Sequence, residues 1–169
     1  MKRMKIQSLL LTLFLSLNCL SQATASEFTV GGQVGALGLA EGPNDTGLGY
    51  GAFFQATALE ILALQVDYLG SKVNSENVSG ISPNLMWNAI KYDELRFGLI
   101  AGPGFYKLGD DPWRFGLSGG AFGEVSFIPN MPIGLQTRYH SVFGGKNNDL
   151  WSVFMTVGFR FDVKGGDDW

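Results

Sequence analysis

The stretch "TVGFRFDV", Thr156 to Val163, alternates Phe159 and Phe161 with Arg160 and Asp162. On a strand, neighbouring side chains leave opposite faces and residues two apart share one. This stretch therefore sets rings on one side of a strand and a charge pair on the other. In a soluble sandwich the rings would face a core and the charges water. In a membrane barrel the rings face lipid and the charges face a narrow interior. The rest of the chain decides between them.

Working backwards, the same two-residue period recurs in runs broken by turn residues. The run 151–163 sets Trp151, Val153, Met155, Val157, Phe159 and Phe161 against Ser152, Thr156, Gly158, Arg160 and Asp162. The run 133–143 sets Leu135 and Tyr139 against Gln136, Arg138 and His140. In 114–128, Phe115, Leu117 and Val125 oppose Arg114, Ser118 and Glu124, and in 95–108 Leu95, Phe97 and Leu99 oppose Arg96 and Gly98. The runs 82–92, 61–70, 48–58 and 27–40 behave alike, with Trp87, Val66, Phe54 and Val30 on the apolar side and Asn88, Asp67, Gln55 and Thr29 on the other. These make eight strands, each about the 9–11 residues that a tilted strand needs to cross a bilayer.

The connections differ in kind. Those at 41–47, 70–81, 109–113 and 144–150 read as longer, polar loops, and those at 59–60, 93–94 and 129–132 as tight turns. Long external loops and short periplasmic turns are the asymmetry of a membrane barrel, and a sandwich has no cause for it. Charge placement agrees. Asp67, Arg96, Arg114, Glu124, Arg138, Arg160 and Asp162 all fall in the phase opposite the bulky apolar residues. A mid-membrane Arg or Lys facing lipid would cost roughly 2–4 kcal/mol. Lys91 and Lys107 fall in the apolar phase, near strand ends where a long side chain can snorkel.

Composition supports the same class. Glycine is abundant (24 residues, none before Gly31), 13% of the chain is aromatic, and only 16% is charged. That is too little charge to coat a soluble barrel of the lipocalin kind. Lys2, Arg3 and Lys5 precede an apolar run, and Ala23-Thr24-Ala25 follows it, so residues 1–25 read as a secretory signal. The single cysteine, Cys19, lies there, and Ser16 and Asn18 before it do not suit a lipoprotein signal. The mature chain has neither disulfide nor thiol chemistry. With the three signal cations removed, the 12 basic residues fall to nine against 15 acidic ones, which argues against nucleic acid as a partner. The expected organisation is a signal peptide (1–25), a barrel domain (26–164) and a short tail (165–169), with no peptidoglycan-binding domain following.

The glycine-rich "FTVGGQVGALG", the strand "LALQVDYLG", the "QTRYHSVFGG" strand and loop, and the closing "VGFRF" together resemble the small eight-stranded outer-membrane β-barrels typified by the OmpA transmembrane domain. The resemblance implies an all-β, antiparallel, up-and-down transmembrane barrel in the cell envelope of a Gram-negative bacterium. It implies contact with outer-membrane lipid and lipopolysaccharide, delivery by the barrel-assembly machinery, and a monomer. It also implies a terminal aromatic assembly signal, served either by Phe161, with Gly158 and Phe159, in the last strand or by Trp169, to which the chain runs on.

Eight strands leave an interior that side chains can fill. Asp67, Arg96, Arg114, Glu124, Arg138, His140, Arg160 and Asp162 are expected to form a charge network that plugs it, giving a structural or surface protein. The alternatives are a narrow ion or solute pore and a lipid-modifying enzyme. Lipid A deacylases resemble this chain around a His-x-Ser on a late strand. Here, however, Ser141 adjoins His140 and leaves the opposite face, and Val142 offers no hydroxyl. No catalytic, cofactor or metal residue is expected. "GLGYGAFF" and "GPGFY" lack the strand–helix context of a phosphate loop. The loop acids Glu41, Asp45, Glu76, Asp110, Asp111 and Asp149 read as solvated tips rather than cation sites.

Overall fold

The structure, a computed structural model, describes residues 27–40, 45–92, 94–144 and 149–162. The expected signal and the 165–169 tail lie outside them. Eight strands run in order: β1 (Glu27–Leu39), β2 (Thr46–Leu59), β3 (Leu62–Val73), β4 (Glu76–Tyr92), β5 (Leu95–Leu108), β6 (Arg114–Ile128), β7 (Met131–Val142) and β8 (Leu150–Asp162). Each pairs antiparallel with the next, and β8 pairs with β1 from Glu27↔Asp162 to Leu39↔Leu150. The sheet closes on itself and leaves no edge, so all-β, up-and-down and eight-stranded hold as expected. The end where β1 begins and β8 finishes is called lower here, and the opposite end upper.

Two-residue alternation governs the wall. Along β8, Ser152, Phe154, Thr156 and Gly158 are buried inside while Val153, Met155, Val157 and Phe159 are exposed outside. Exposed rings and aliphatic chains such as Phe54, Trp87, Phe97 and Phe159 cover the exterior. An exterior of this kind suits hydrocarbon and not water.

The glycines make room for rings inside a narrow cylinder. A Cβ on Gly31 would stand 2.5 Å from Cζ of Phe53, and one on Gly49 2.6 Å from Cε1 of Phe154. One on Gly80 would stand 2.9 Å from Cδ1 of Tyr106, and one on Gly98 2.8 Å from Cε1 of Phe122. Each inward ring therefore lies over the bare backbone of another strand, an approach that any side chain would block. That strand is adjacent except for Phe154 of β8, which reaches across β1 to Gly49 of β2.

Two expectations about the connections change. Residues 70–81 are not a loop. β3 and β4 continue through them and reverse at Asn74 and Ser75, with Val73 opposite Glu76. Both turn residues have positive φ (49° and 71°), the handedness that matches strand twist in a two-residue hairpin. The alternation of Ser71 and Val73 inward with Lys72 outward continues the strand beyond the point where polarity suggested a loop. The second change concerns Lys91. The β4–β5 register shifts between Asn88 and Ile90, so one residue is extra and the faces exchange beyond it. Lys91 is paired with Arg96 and shares its inward phase, instead of facing lipid.

The close ring–glycine contacts predict an asymmetric mutational response. Gly31→Ala, which also meets the Val157 carbonyl, should destabilise the barrel by about 1–3 kcal/mol. Gly119→Ala, with nothing within 4 Å, should not. Urea midpoints of refolded protein, scored by the faster gel migration of unboiled barrel, will measure both.

Candidate functional site

Most of the charges that sequence reasoning assigned to the interior lie inside the wall, in a space where protein groups have to satisfy them. Five tiers fill that space from the lower end to the upper.

The lowest tier is ionic. Arg96 on β5 donates from Nη1 and Nη2 to the two carboxylate oxygens of Glu27 at 2.9 and 3.0 Å, a fork across the mouth to β1. Arg160 on β8 lies with Nε 3.0 Å from Glu27 Oε1 and donates from Nη2 to Glu124 on β6. The cluster ties β1, β5, β6 and β8 together. Glu27 was not among the expected network residues, although its parity with Thr29 places it inward.

Above it Ala63, Met86, Ile100 and Phe122 make an apolar tier. The next tier is polar and centres on Asp67 of β3 and Arg138 of β7, whose side chains are 0% exposed. Arg138 Nη1 donates to Asp67 Oδ2 at 2.6 Å, and Asn84 Nδ2 donates to the same oxygen at 2.6 Å. Gln65 Nε2 donates to Oδ1 at 2.6 Å, and Ser118 Oγ donates to Asn84 Oδ1 at 3.0 Å. The Asp67 carboxylate thus has three donors, while Arg138 keeps Nε and Nη2 without partners among the described groups. A buried ion pair is costly to desolvate and tolerable only when surrounding hydrogen bonds complete it.

The fourth tier holds His140. Its Nδ1 is 2.9 Å from the Tyr106 hydroxyl, which is 3.1 Å from Ser82 Oγ, and its Nε2 is 3.0 Å from Ser152 Oγ. The imidazole's hydroxyl partner is therefore Ser152 on β8, not Ser141, which lies near Asp149. A hydroxyl beside an imidazole has the form of an activated nucleophile. But His140 and Ser152 are 0% and 1% exposed, and this pair serves as a satisfied polar layer. The fifth tier is an apolar cap that includes Leu37, Leu69, Val73, Leu150 and Phe154.

Two expected members stand apart from the rest. Arg114 pairs at the upper rim with Asp111 at 2.7 Å, because β6 carries its inward phase up to the loop. Asp162 is exposed where β8 ends, opposite Glu27. The expected single network is thus two ionic groups, Glu27–Arg96–Glu124–Arg160 and Asp67–Arg138, separated by the Met86 tier, with His140 in a tier of its own. Spacing within one strand shows which face a residue takes but not how high it meets a partner on another strand. On the assembly stretch, Gly158 faces in, and the rings of Phe159 and Phe161 face out with centroids 4.8 Å apart.

At the upper rim, just before β8, Asp149 accepts from Tyr139 Oη at 2.6 Å, from the Val142 amide at 3.1 Å and from Ser141 Oγ at 3.3 Å. The Tyr139 hydrogen bond above all, with those from Val142 and Ser141, holds its carboxyl below the usual carboxylate range against a smaller burial effect.

No family model matches the chain, and no curated protein matches it. Solved structures do. Neisserial surface protein A (NspA) superposes with a TM-score of 0.64 at 15% identity, over 80% of this chain and 96% of that one. The N-terminal β-barrel domain of Pseudomonas aeruginosa OprF gives 0.62 at 13%, over 80% and 98%. Ail, the attachment invasion locus protein of Yersinia pestis, gives 0.56 at 10%, over 82% and 100%. The likeness is one of fold: an eight-stranded barrel of the outer-membrane kind.

Two measurements test the site. Removing one partner of the central pair, by Arg138→Met or Asp67→Asn, should cost about 3–5 kcal/mol, and Asp67→Leu with Arg138→Met should recover most of it, as urea midpoints will read. Because the folded pKa of Asp149 is depressed, its contribution to stability is complete above the ordinary Asp value of about 4 and fades as pH falls through the lower, folded one. Tyr139→Phe should move the carboxyl titration of Asp149, followed by carbon NMR in micelles, upward toward the ordinary value.

Proposed function

We propose that this protein is an integral outer-membrane barrel with a plugged lumen, acting as a structural or surface element of the cell envelope, neither pore nor enzyme. One observation carries the reading. The Asp67–Arg138 pair, with no exposed side-chain surface, lies between the Met86 and Leu37 apolar tiers. An ion crossing that stack would have to break a hydrogen-bonded ion pair and then leave water twice among hydrocarbon side chains. The same burial argues against catalysis at His140. A lipid substrate arrives from outside the wall, whereas His140 and Ser152 are buried inside it.

The exterior supports the membrane assignment through its exposed rings, and the fold supports it through its likeness to outer-membrane barrels. Biogenesis is proposed to use the exposed pair Phe159 and Phe161 as the assembly signal. In the membrane the barrel is proposed to be a monomer in contact with lipid and lipopolysaccharide.

Planar-bilayer recording tests the plug. The wild type should show no conductance steps. Neither Arg138→Ala nor Glu124→Ala should show steps, because the Met86 and Leu37 apolar tiers stay closed in both. Steady steps from the wild type would sink the structural reading in favour of the pore.

A further inference from the structure

Cations on the outward side of the wall are not scattered. Among the described residues, the lysines and arginines in the outward phase are Lys72 on β3 and Lys107 on β5. The four arginines follow the inward phase, and Lys91 joins them through the β4 bulge. Both outward lysines stand at the upper end, where the longer connections place the outer leaflet. They flank a single strand, with Lys72 opposite Asn77 of β4 and Lys107 opposite Ser79. With neighbouring strands about 4.8 Å apart and a rise of about 3.4 Å per residue, the two ammonium stems leave the wall roughly 12 Å from each other.

Neither lysine has a carboxylate within ion-pair distance among the described residues. Of the upper acids, Asp45 bonds Asn74, Asp111 pairs with Arg114 and Asp149 bonds Tyr139, while the exposed Asp110, three residues beyond Lys107, makes no ion pair with it. Glu76 belongs to the inward phase of β4. One tier down the same sector is apolar, with Tyr68, Ile81, Phe105 and Phe115 exposed and the last two rings 5.8 Å apart. The opposite sector differs. Its upper outward residues on β7 and β8, Tyr139 and Trp151 among them, bring no cation among the described residues.

A lysine on a lipid-facing strand turns its ammonium toward the headgroup level, where an anion is its favourable partner. Two lysines, unpaired among the described residues, above an aromatic shelf match one molecule: an anionic headgroup continued by acyl chains. We propose that the β3–β6 sector docks a phosphorylated outer-leaflet glycolipid, with Lys72 and Lys107 on its phosphates and Ile81, Phe105 and Phe115 under its acyl chains. The proposal rests on the outer-membrane reading above.

Native mass spectrometry of the folded full-length barrel, exchanged into detergent with bisphosphorylated lipid A or its dephosphorylated form, tests it. The wild type should retain the bisphosphorylated lipid in preference. Lys72→Gln with Lys107→Gln should weaken retention by about fivefold per lysine, roughly 25-fold together, while Lys91→Gln leaves it unchanged. Equal retention by the double variant, or equal retention of the dephosphorylated lipid, overturns the proposal. Heat-modifiable gel migration of each variant separates this from the parent reading. A wild type that shows no heat shift defeats the barrel itself, whereas a heat-shifting barrel indifferent to phosphate defeats only the lipid site.

Discussion

A strand in hydrocarbon must give every backbone N–H and C=O a partner in protein, because no water is there to supply one. For this chain the constraint is met by the pairing of β8 with β1, which removes the two edges an open sheet would leave. Closure then dictates the rest. Once the sheet is a cylinder of eight strands, each residue faces either lipid or a narrow interior, and two-residue alternation decides which. The outside is apolar because charge there is penalised. The inside collects nearly every strand charge because it is the place where charge can be paired.

The interior then has a packing problem that composition answers. A narrow tube cannot hold a large side chain at every inward position. Large rings alternate with bare backbone, so Phe53 lies over Gly31, Phe154 over Gly49 and Tyr106 over Gly80. Part of the glycine content, unusual for an ordered chain, is the complement of the inward aromatics, while glycines such as Gly35, Gly102 and Gly120 lie against the carbonyls of an adjacent strand. Interleaving buries the apolar tiers, and the polar tiers between them are bound by hydrogen bonds to Asp67, Asn84 and His140.

Tier order gives the barrel its character. Ionic groups at the lower mouth link four strands, and the buried pair higher up links β3 with β7. Both are cross-barrel ties between residues far apart in the chain, so they hold the circular cross-section as well as neutralising charge. The apolar tiers on either side isolate the central pair from water, which raises the cost of breaking it.

The alternation of "TVGFRFDV" and its counterparts was enough, with no structure, to settle strand number, the face of nearly every residue and closure into a membrane cylinder. Those properties depend on a local period of two and on the cost of charge in lipid, and both are written along the chain. Tertiary structure alone decided which inward residues meet. Strand tilt and register set the height at which Asp67 reaches Arg138 and His140 reaches Ser152, and neither is encoded in the spacing of one strand. The β4 bulge that turned Lys91 inward and the turn at Asn74–Ser75 that replaced an expected loop escaped for a related reason. A single added residue or a pair of left-handed residues changes the direction in which later side chains point, yet leaves composition and polarity almost untouched.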